Sequence, residues 1–167
     1  MRLYIGTKVI KAEPMNLGDY NKLRGWPVLE NEDPAKEGYL VGYSNANGKF
    51  DGPLQDGCYH ISWSPKDIFD KAYTQRDNLT FGIAIEVMKW GDKVARKGWN
   101  GKNMFVVYQH GYPEGISCNE QTAEAWGMKE GDNFKCEPYL QIKMVNGSHS
   151  MWVPSINDVL AEDWEVV

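Results

Sequence analysis

The chain has 167 residues, enough for one ordinary domain or two small ones. Apolar residues make up 42% and charged residues 25%, a composition typical of folded rather than disordered proteins. The 18 Lys and Arg residues against 23 Asp and Glu residues give a net charge of -5, which argues against general binding to DNA or RNA polymers. No segment approaches the run of about 18 apolar residues that a membrane helix needs, so we expect no membrane association.

Three cysteines occur without a CxxC pair, which disfavours a zinc site or a disulfide framework. The N-terminal segment lacks the apolar core of a signal peptide. We therefore expect a cytoplasmic protein with no metal and no cofactor.

The first half of the chain predicts a small α+β module over residues 1–75. A β-rich segment at 3–10 and alternating apolar and polar residues at 38–44 and 60–64 predict three strands. Between the first two strands, Pro and Gly residues leave room for one short helix at most. Ser64, followed by Pro65 at the first helical position, starts a second short helix over 65–73.

The polar segment 74–79 separates this module from a second domain over 78–167. Its best helix signal is the apolar stripe of Phe81, Ala84, Ile85 and Met88, with Thr80 as N-cap and a stop at Gly91. Short strands are predicted within 93–99, 104–110, 138–145, 149–153 and 163–167. Asn146-Gly147 is a strong hairpin signal, and a further helix is predicted over 118–127. The fold class is therefore α+β, with one long helix packed on a short-stranded antiparallel sheet.

The segment from Lys93 to Lys102 concentrates positive charge in an otherwise acidic domain. It contains four basic residues and no acidic one, and Gly98 and Gly101 bracket Trp99 and Asn100. Such a turn suits an anion with a flat ring, because Arg and Lys bind phosphate and Trp offers a stacking face. Composition alone favours a solvated surface turn whose Trp fills the core.

Trp152, Ser155 and Asp158 form a second cluster. A Trp near a hydroxyl and a carboxylate is suited to contact a ribose or a base edge. Ser155 as helix N-cap and Asp158 as the third helical residue explain the same pattern structurally, and without further information this interpretation is favoured.

The sequence contains none of the common motifs of catalytic sites that we considered. The three His residues lack metal-ligand spacing, and no GxSxG, HExxH or GxxxxGK[ST] motif is present. We expect no enzyme.

The second half resembles the Thoeris anti-defence protein 2 family of phage proteins. The resemblance is carried by TFGIAIEVMKWGDKVARKGWNGK at 80–102, PYL at 138–140, Trp152 and SINDVLAEDW at 155–164. The first half resembles a small module of uncharacterised phage proteins, through KAEPM at 11–15, YNxxRGW at 20–26 and ISWSPKDxFDKAY at 61–73.

The family resemblance implies a homotetrameric sponge in the cytoplasm of the infected host. Such a protein binds cyclic nucleotide immune signals, chiefly glycocyclic ADP-ribose and in some members cyclic dinucleotides, and holds them without cleavage. It also implies a set of ligand-binding residues in this chain: Phe81, Arg96, Trp99, Asn100, Lys102, Tyr139, Trp152, Ser155 and Asp158.

Two other functions stay open at this point. A phosphodiesterase or glycohydrolase would degrade the same signal, and a protein–protein inhibitor would bind and block an immune effector.

The small size of the second domain independently favours oligomerisation, since about 90 residues bury only some 60–70% of their unfolded surface.

Overall fold

The computed structural model describes residues 7–45 and 49–167. Its contacts divide the chain into two compact units, the first ending at Thr74 and the second spanning Gln75–Val167. Within the described residues, no helix is both long enough and apolar enough to cross a membrane.

In its described residues, the first unit has a three-stranded antiparallel sheet, two short α-helices and a 3-10 turn at Gln55–Gly57. Its elements are β1 (Ile10–Pro14), α1 (Leu17–Arg24), β2 (Gly38–Tyr43), β3 (His60–Pro65) and α2 (Lys66–Ala72). The strands are ordered β1-β2-β3. One face of this sheet joins α1 in a small core of Tyr20, Leu40, Cys58 and Ile61. On the other face, Phe69 of α2 stacks on Tyr39 with ring centroids 4.0 Å apart.

Two details of the first unit differ from the sequence prediction. Residues 3–6 of the first predicted strand lie outside the described residues, and the observed strand begins only at Ile10. It continues to Pro14, which lies opposite Tyr39, a position allowed because β1 is an edge strand. Pro65 rather than Ser64 occupies the cap of α2, since β3 stays paired with Gly38 through Pro65.

The second unit has three helices and two antiparallel sheets. Its helices are α3 (Phe81–Lys89), α4 (Glu120–Trp126) and α5 (Ile156–Val159). Its strands are β4 (Val94–Arg96), β5 (Phe105–Gln109), β6 (Tyr112–Ser117), β7 (Asn133–Cys136), β8 (Tyr139–Lys143), β9 (His149–Met151) and β10 (Trp164–Val166). The larger sheet has the order β10-β4-β5-β8-β9, and β6 pairs with β7 alone.

The helix α3 packs on one face of the larger sheet, which we call the inner face. Val94, Val106, Ile142 and Trp164 form the core there with the apolar stripe of α3. Residues that alternate with these along each strand lie on the opposite, outer face. The helix ends where Gly91 takes a φ of 101°, a backbone conformation that side-chain-bearing residues rarely adopt. Thr80 occupies the N-cap position, but its hydroxyl makes no capping hydrogen bond.

The predicted α+β class is confirmed, and the small sheet of β6 and β7 is the element that the sequence did not predict. Pro113 and Gly115 lie inside β6 and give it the composition of a loop. A bulge between Tyr112 and Ile116 absorbs this irregularity, because β7 supplies a partner on each side of it.

Candidate functional site

The turn that follows β4 is held in place by hydrogen bonds to Asp163. The Asp163 carboxylate accepts a hydrogen bond from the Gly98 backbone N–H at 3.0 Å, and the Asp163 backbone carbonyl accepts one from the Lys97 backbone N–H at 3.2 Å. At Gly101, an added Cβ would lie 2.2 Å from the Met104 sulfur and 2.5 Å from Val145. The close approaches at these two glycines are therefore made to the protein's own side chains.

The guanidinium of Arg96 lies between two carboxylates. Its Nε donates to Asp163 at 2.7 Å, and one terminal nitrogen donates to Asp158 at 3.0 Å. The same terminal nitrogen also donates to the backbone carbonyl of Asn157 at 3.3 Å. Hydrogen bonding from Arg96 is the main reason that the pKa of Asp163 lies below its ordinary value, and the pKa of Arg96 is correspondingly raised. The charge of Arg96 is thus compensated within the chain.

Asp158 connects this ion pair to the turn and to α5. One of its oxygens accepts from Arg96 and from the indole N–H of Trp99 at 3.3 Å, while the other accepts from the hydroxyl and backbone N–H of Ser155. Burial raises the pKa of Asp158, but the hydrogen bonds from Ser155, Arg96 and Trp99 outweigh it and lower the pKa overall. Ser155 and Asp158 form a reciprocal capping box at the start of α5. The structural interpretation of this pair is therefore confirmed, and all the oxygens discussed here already have partners.

Three indoles meet beside this network, and we call Trp99, Trp152 and Trp164 the indole cluster. Their ring centroids are 5.5–6.0 Å apart in edge-to-face pairs, an arrangement that aromatic rings favour. Trp164 is fully buried and donates from its indole nitrogen to the Asp158 carbonyl at 3.0 Å. Trp99 and Trp152 are less buried than Trp164, so each residue keeps part of its surface exposed to solvent.

The other predicted residues lie at different depths around this cluster. Phe81, expected at a pocket rim, is only 8% exposed in the single chain because its ring packs between Trp152 and Trp164. Asn100 and Lys102 are exposed in the turn, and no ion pair reaches Lys102 from the residues that the structure describes.

Tyr139 is not brought to the indole cluster. It alternates with the inner-face residues Leu140 and Ile142 and therefore lies on the outer face, where partial burial raises the pKa of its hydroxyl.

Asp163 is the site residue that sequence reasoning missed. The signal was present as the acidic residue before Trp164, but only the pairing of β10 with β4 places it beside Arg96.

No group of three or more His, Cys, Asp or Glu side chains suited to a metal ion occurs in the described ranges. Cys58, Cys118 and Cys136 are free thiols, and the first two are buried. The chemistry offered near the turn is therefore aromatic stacking from Trp99 and Trp152, and the same turn carries the exposed side chains of Asn100 and Lys102.

This arrangement lies wholly within a region that matches a described family. The model of the Tad2-like family, described as the Thoeris anti-defense 2-like domain, matches residues 79–167. The chain belongs to the Tad2-like family. The Thoeris anti-defense 2 protein of Bacillus phage SP01 is 38% identical over 96 residues, which cover 55% of this chain and 98% of that relative. The first unit lies outside the matched Tad2-like region.

Proposed function

We propose that this protein counters Thoeris defence in the cytoplasm of a phage-infected host by binding a cyclic nucleotide signal and holding it uncleaved. Glycocyclic ADP-ribose is the proposed ligand, with cyclic dinucleotides as the alternative. Membership of an anti-defence family supports the role against Thoeris.

The observation that carries the proposal is the pair of half-buried indoles inside the family region. Trp99 and Trp152 lie with ring centroids 6.0 Å apart and keep part of their surface open. A base or ribose that covers this surface gains stacking energy without a large rearrangement, because the rings are already fixed by Trp164 and Asp158.

The phosphate contact in this proposal comes from Lys102 rather than from Arg96. The Arg96 guanidinium already donates to Asp158 and Asp163, whereas the Lys102 ammonium is exposed in the same turn as Trp99. We assign Arg96 a positioning role, since it orients Asp158, which in turn accepts from the Trp99 indole.

We further propose that the binding form is a homotetramer. Three exposed apolar residues follow Trp152 closely in the chain: Val153 is 86% exposed, Leu160 73% and Ile156 68%. We infer that these residues join in one apolar patch, and such patches are typical of interfaces between protein subunits. Light scattering at micromolar concentration tests the assembly, and a monomeric mass would contradict it.

Ligand fate separates the proposed sponge from the other two functions. The purified protein is incubated with glycocyclic ADP-ribose, separated from free ligand, denatured by heat and assayed by chromatography of the supernatant. Intact ligand released by heat supports sequestration, fragments indicate an enzyme, and no retained ligand favours capture of a protein.

The matched pair Trp99→Ala and Trp90→Ala locates the binding surface. Loss of a stacked indole weakens binding by about 1–3 kcal/mol, or roughly 5- to 150-fold in Kd. Trp90 follows α3 outside the site and is 50% exposed, so its removal is expected to leave Kd unchanged. Calorimetry with matched melting curves measures both effects. Normal binding by the folded fraction of Trp99→Ala would show that Trp99 only fills the core.

A further inference from the structure

The first unit contains a cavity of about 410 Å³, which we call the first-unit cavity. It lies on the sheet face that forms the core with α1, and the buried side chains of Leu40, Cys58 and Ile61 make its floor. The volume falls in the range of small-molecule sites. All the described residues that line the cavity belong to the first unit, so it is separate from the indole cluster.

The strand register brings two charged side chains of β1 to the edge of this floor. Glu13 lies directly opposite Leu40. Two residues earlier, Lys11 lies opposite Gly42, where glycine accommodates the close approach of Cys58, since an added Cβ would lie 2.3 Å from its sulfur. Directly opposite residues of an antiparallel pair have their side chains on the same face of the sheet. The charged rim and the apolar floor are therefore parts of one surface.

A second wall of the cavity comes from the segment 50–58, which folds back on itself. The Gly52 backbone N–H donates to the Gly57 carbonyl at 2.7 Å. An added Cβ at Gly57 would lie 2.2 Å from the Phe50 carbonyl oxygen. The wall is thus shaped by the chain's own contacts, and a preformed site of this kind binds a ligand at a low ordering cost.

Two hydrogen bonds join this wall to β1. The Lys11 ammonium donates to the Asp56 backbone carbonyl at 2.7 Å, and it lies 4.9 Å from the ring centroid of Phe50. The Gln55 side-chain amide donates to one Glu13 carboxylate oxygen at 3.2 Å. The Lys11 ammonium is therefore held by a carbonyl oxygen and an aromatic ring, both of which are neutral.

The two carboxylates at the rim have no charged partner. Neither Glu13 nor Asp56 makes an ion pair within the described ranges. These two acidic side chains stand against Lys11 alone among the described residues that line the cavity. The first-unit cavity thus combines an apolar floor with an excess of negative charge at its rim.

An aliphatic amine matches both parts of this surface. Its alkyl chain is removed from water when it covers the floor, which is favourable. Its ammonium group donates up to three hydrogen bonds, and those made to a carboxylate are strengthened by charge. An anionic ligand would instead be repelled by the excess negative charge.

We propose that the first-unit cavity binds an aliphatic amine. The alkyl chain lies on Leu40 and Ile61, and the ammonium group is bound by Glu13 and Asp56. The residues that line the cavity are outside the matched Tad2-like region, so this site does not depend on the ligand proposed for the indole cluster.

The test uses the full chain with isoleucine δ1 methyl groups labelled with carbon-13 and observed by NMR. Ile61→Val assigns the signal at the cavity floor, and Ile142→Val assigns a reference signal in the core of the second unit. n-Butylamine hydrochloride is titrated at neutral pH and constant ionic strength. We expect the Ile61 signal to shift to saturation and to show a nuclear Overhauser effect to the butyl protons, while the Ile142 signal stays in place.

Variants then connect this shift to the two carboxylates. Glu13→Gln and Asp56→Asn remove the charge and keep the shape of each side chain, and Asn tolerates the left-handed φ of 52° found at Asp56. Each variant is expected to weaken n-butylamine binding about 5-fold or more, because a charge-assisted hydrogen bond becomes a neutral one. The matched control is Glu37→Gln, which removes an exposed carboxylate of the first unit outside the cavity and is expected to leave the affinity unchanged.

Two further titrations separate the charge from the alkyl chain. n-Butanol keeps the chain and ammonium chloride keeps the charge, and each is expected to shift the Ile61 signal much less than n-butylamine does. The proposal is overturned if the Ile61 signal does not respond to n-butylamine, or if it responds equally to n-butanol or to ammonium chloride. An equal response in the double variant of Glu13→Gln and Asp56→Asn would also overturn it.

Free polyamines and the lysine side chains of other proteins both carry an aliphatic amine. The same titration therefore compares 1,4-diaminobutane with lysine blocked by acetylation at its α-amino group and by methylamidation at its carboxyl group. Tighter binding of the diamine assigns a free polyamine as the ligand, and tighter binding of the blocked lysine assigns a lysine side chain.

Discussion

The positively charged side chains on the two faces of the larger sheet in the second unit have different ion-pair partners. On the inner side, Arg96 is bound by Asp158 and Asp163, and the same carboxylates fix the turn and the Trp99 indole. On the outer side, Lys93 and Lys143 flank Phe105 without a carboxylate partner in the described part of the chain. Arg96 therefore holds the inner contacts in place, whereas no carboxylate of the described residues pairs with Lys93 or Lys143.

This comparison changes how the basic motif is interpreted. Arg96, Lys97 and Lys102 are close in sequence, yet they have different surroundings. Arg96 is an internal positioning residue, Lys97 pairs with Asp77 and Lys102 is exposed. The number of basic residues in a motif therefore overstates the positive charge that it offers to an anion.

The largest effect on stability is expected from Arg96→Ala. It leaves two partly buried carboxylates without their shared donor, which is expected to lower the free energy of unfolding by about 1.5–3 kcal/mol. Lys143→Met is the contrasting variant, and its stability is expected to change by no more than about 0.5 kcal/mol. Urea unfolding measures both. Equal destabilisation by the two variants would remove the distinction between the faces.

The next largest effect on stability is expected from acid, which weakens the ion pairs of Arg96 with Asp158 and Asp163. The folded chain holds the pKa of Asp158 and Asp163 below their ordinary values. A carboxyl group of this kind stabilises the fold above its unfolded pKa of about 3.9, and the stabilisation is lost as the pH falls through the folded pKa. Unfolding free energies measured from pH 7 to pH 3 should therefore decrease below about pH 5. Asp163→Asn should flatten this decrease, and an unchanged slope would show that other groups cause it.

A smaller effect is expected from Ser155→Ala. The Ser155 hydroxyl caps α5 and donates to Asp158 at 2.7 Å. Loss of an N-cap typically costs about 1 kcal/mol of stability. Thermal unfolding measures this cost, with Ser150→Ala on β9 as an exposed control. If glycocyclic ADP-ribose binding is lost while stability is unchanged, Ser155 contacts the ligand instead.

The smallest effect is expected from removal of the first unit. Residues 78–167 contain the family region and the indole cluster, so they should fold alone and bind with a Kd within about 2-fold of the full chain. Circular dichroism and calorimetry test the two parts of this prediction. A soluble fragment that binds no ligand would show that the first unit contributes to the site.

Local patterns predicted most of the regular structure. The stripe from Phe81 to Met88 marked α3, the alternation through Leu140 and Ile142 marked β8, and Ser155 with Asp158 marked the start of α5. Each of these signals is contained within a few neighbouring residues, because helix periodicity, strand alternation and capping act over one or two turns or a single strand. The pair β6 and β7 was missed because a strand interrupted by Pro113 and Gly115 is recognisable only with its partner beside it.

The sequence by itself determined the α+β class and placed the aromatic and basic residues of the second unit in one motif. Only the tertiary structure decided which of those side chains are already paired with a carboxylate or buried in the core. Asp163 is distant from Arg96 along the chain and reaches it through the pairing of β10 with β4, while alternation along β8 places Tyr139 on the outer face. Charge compensation and burial depend on contacts between distant segments, and no pattern of neighbouring residues specifies them.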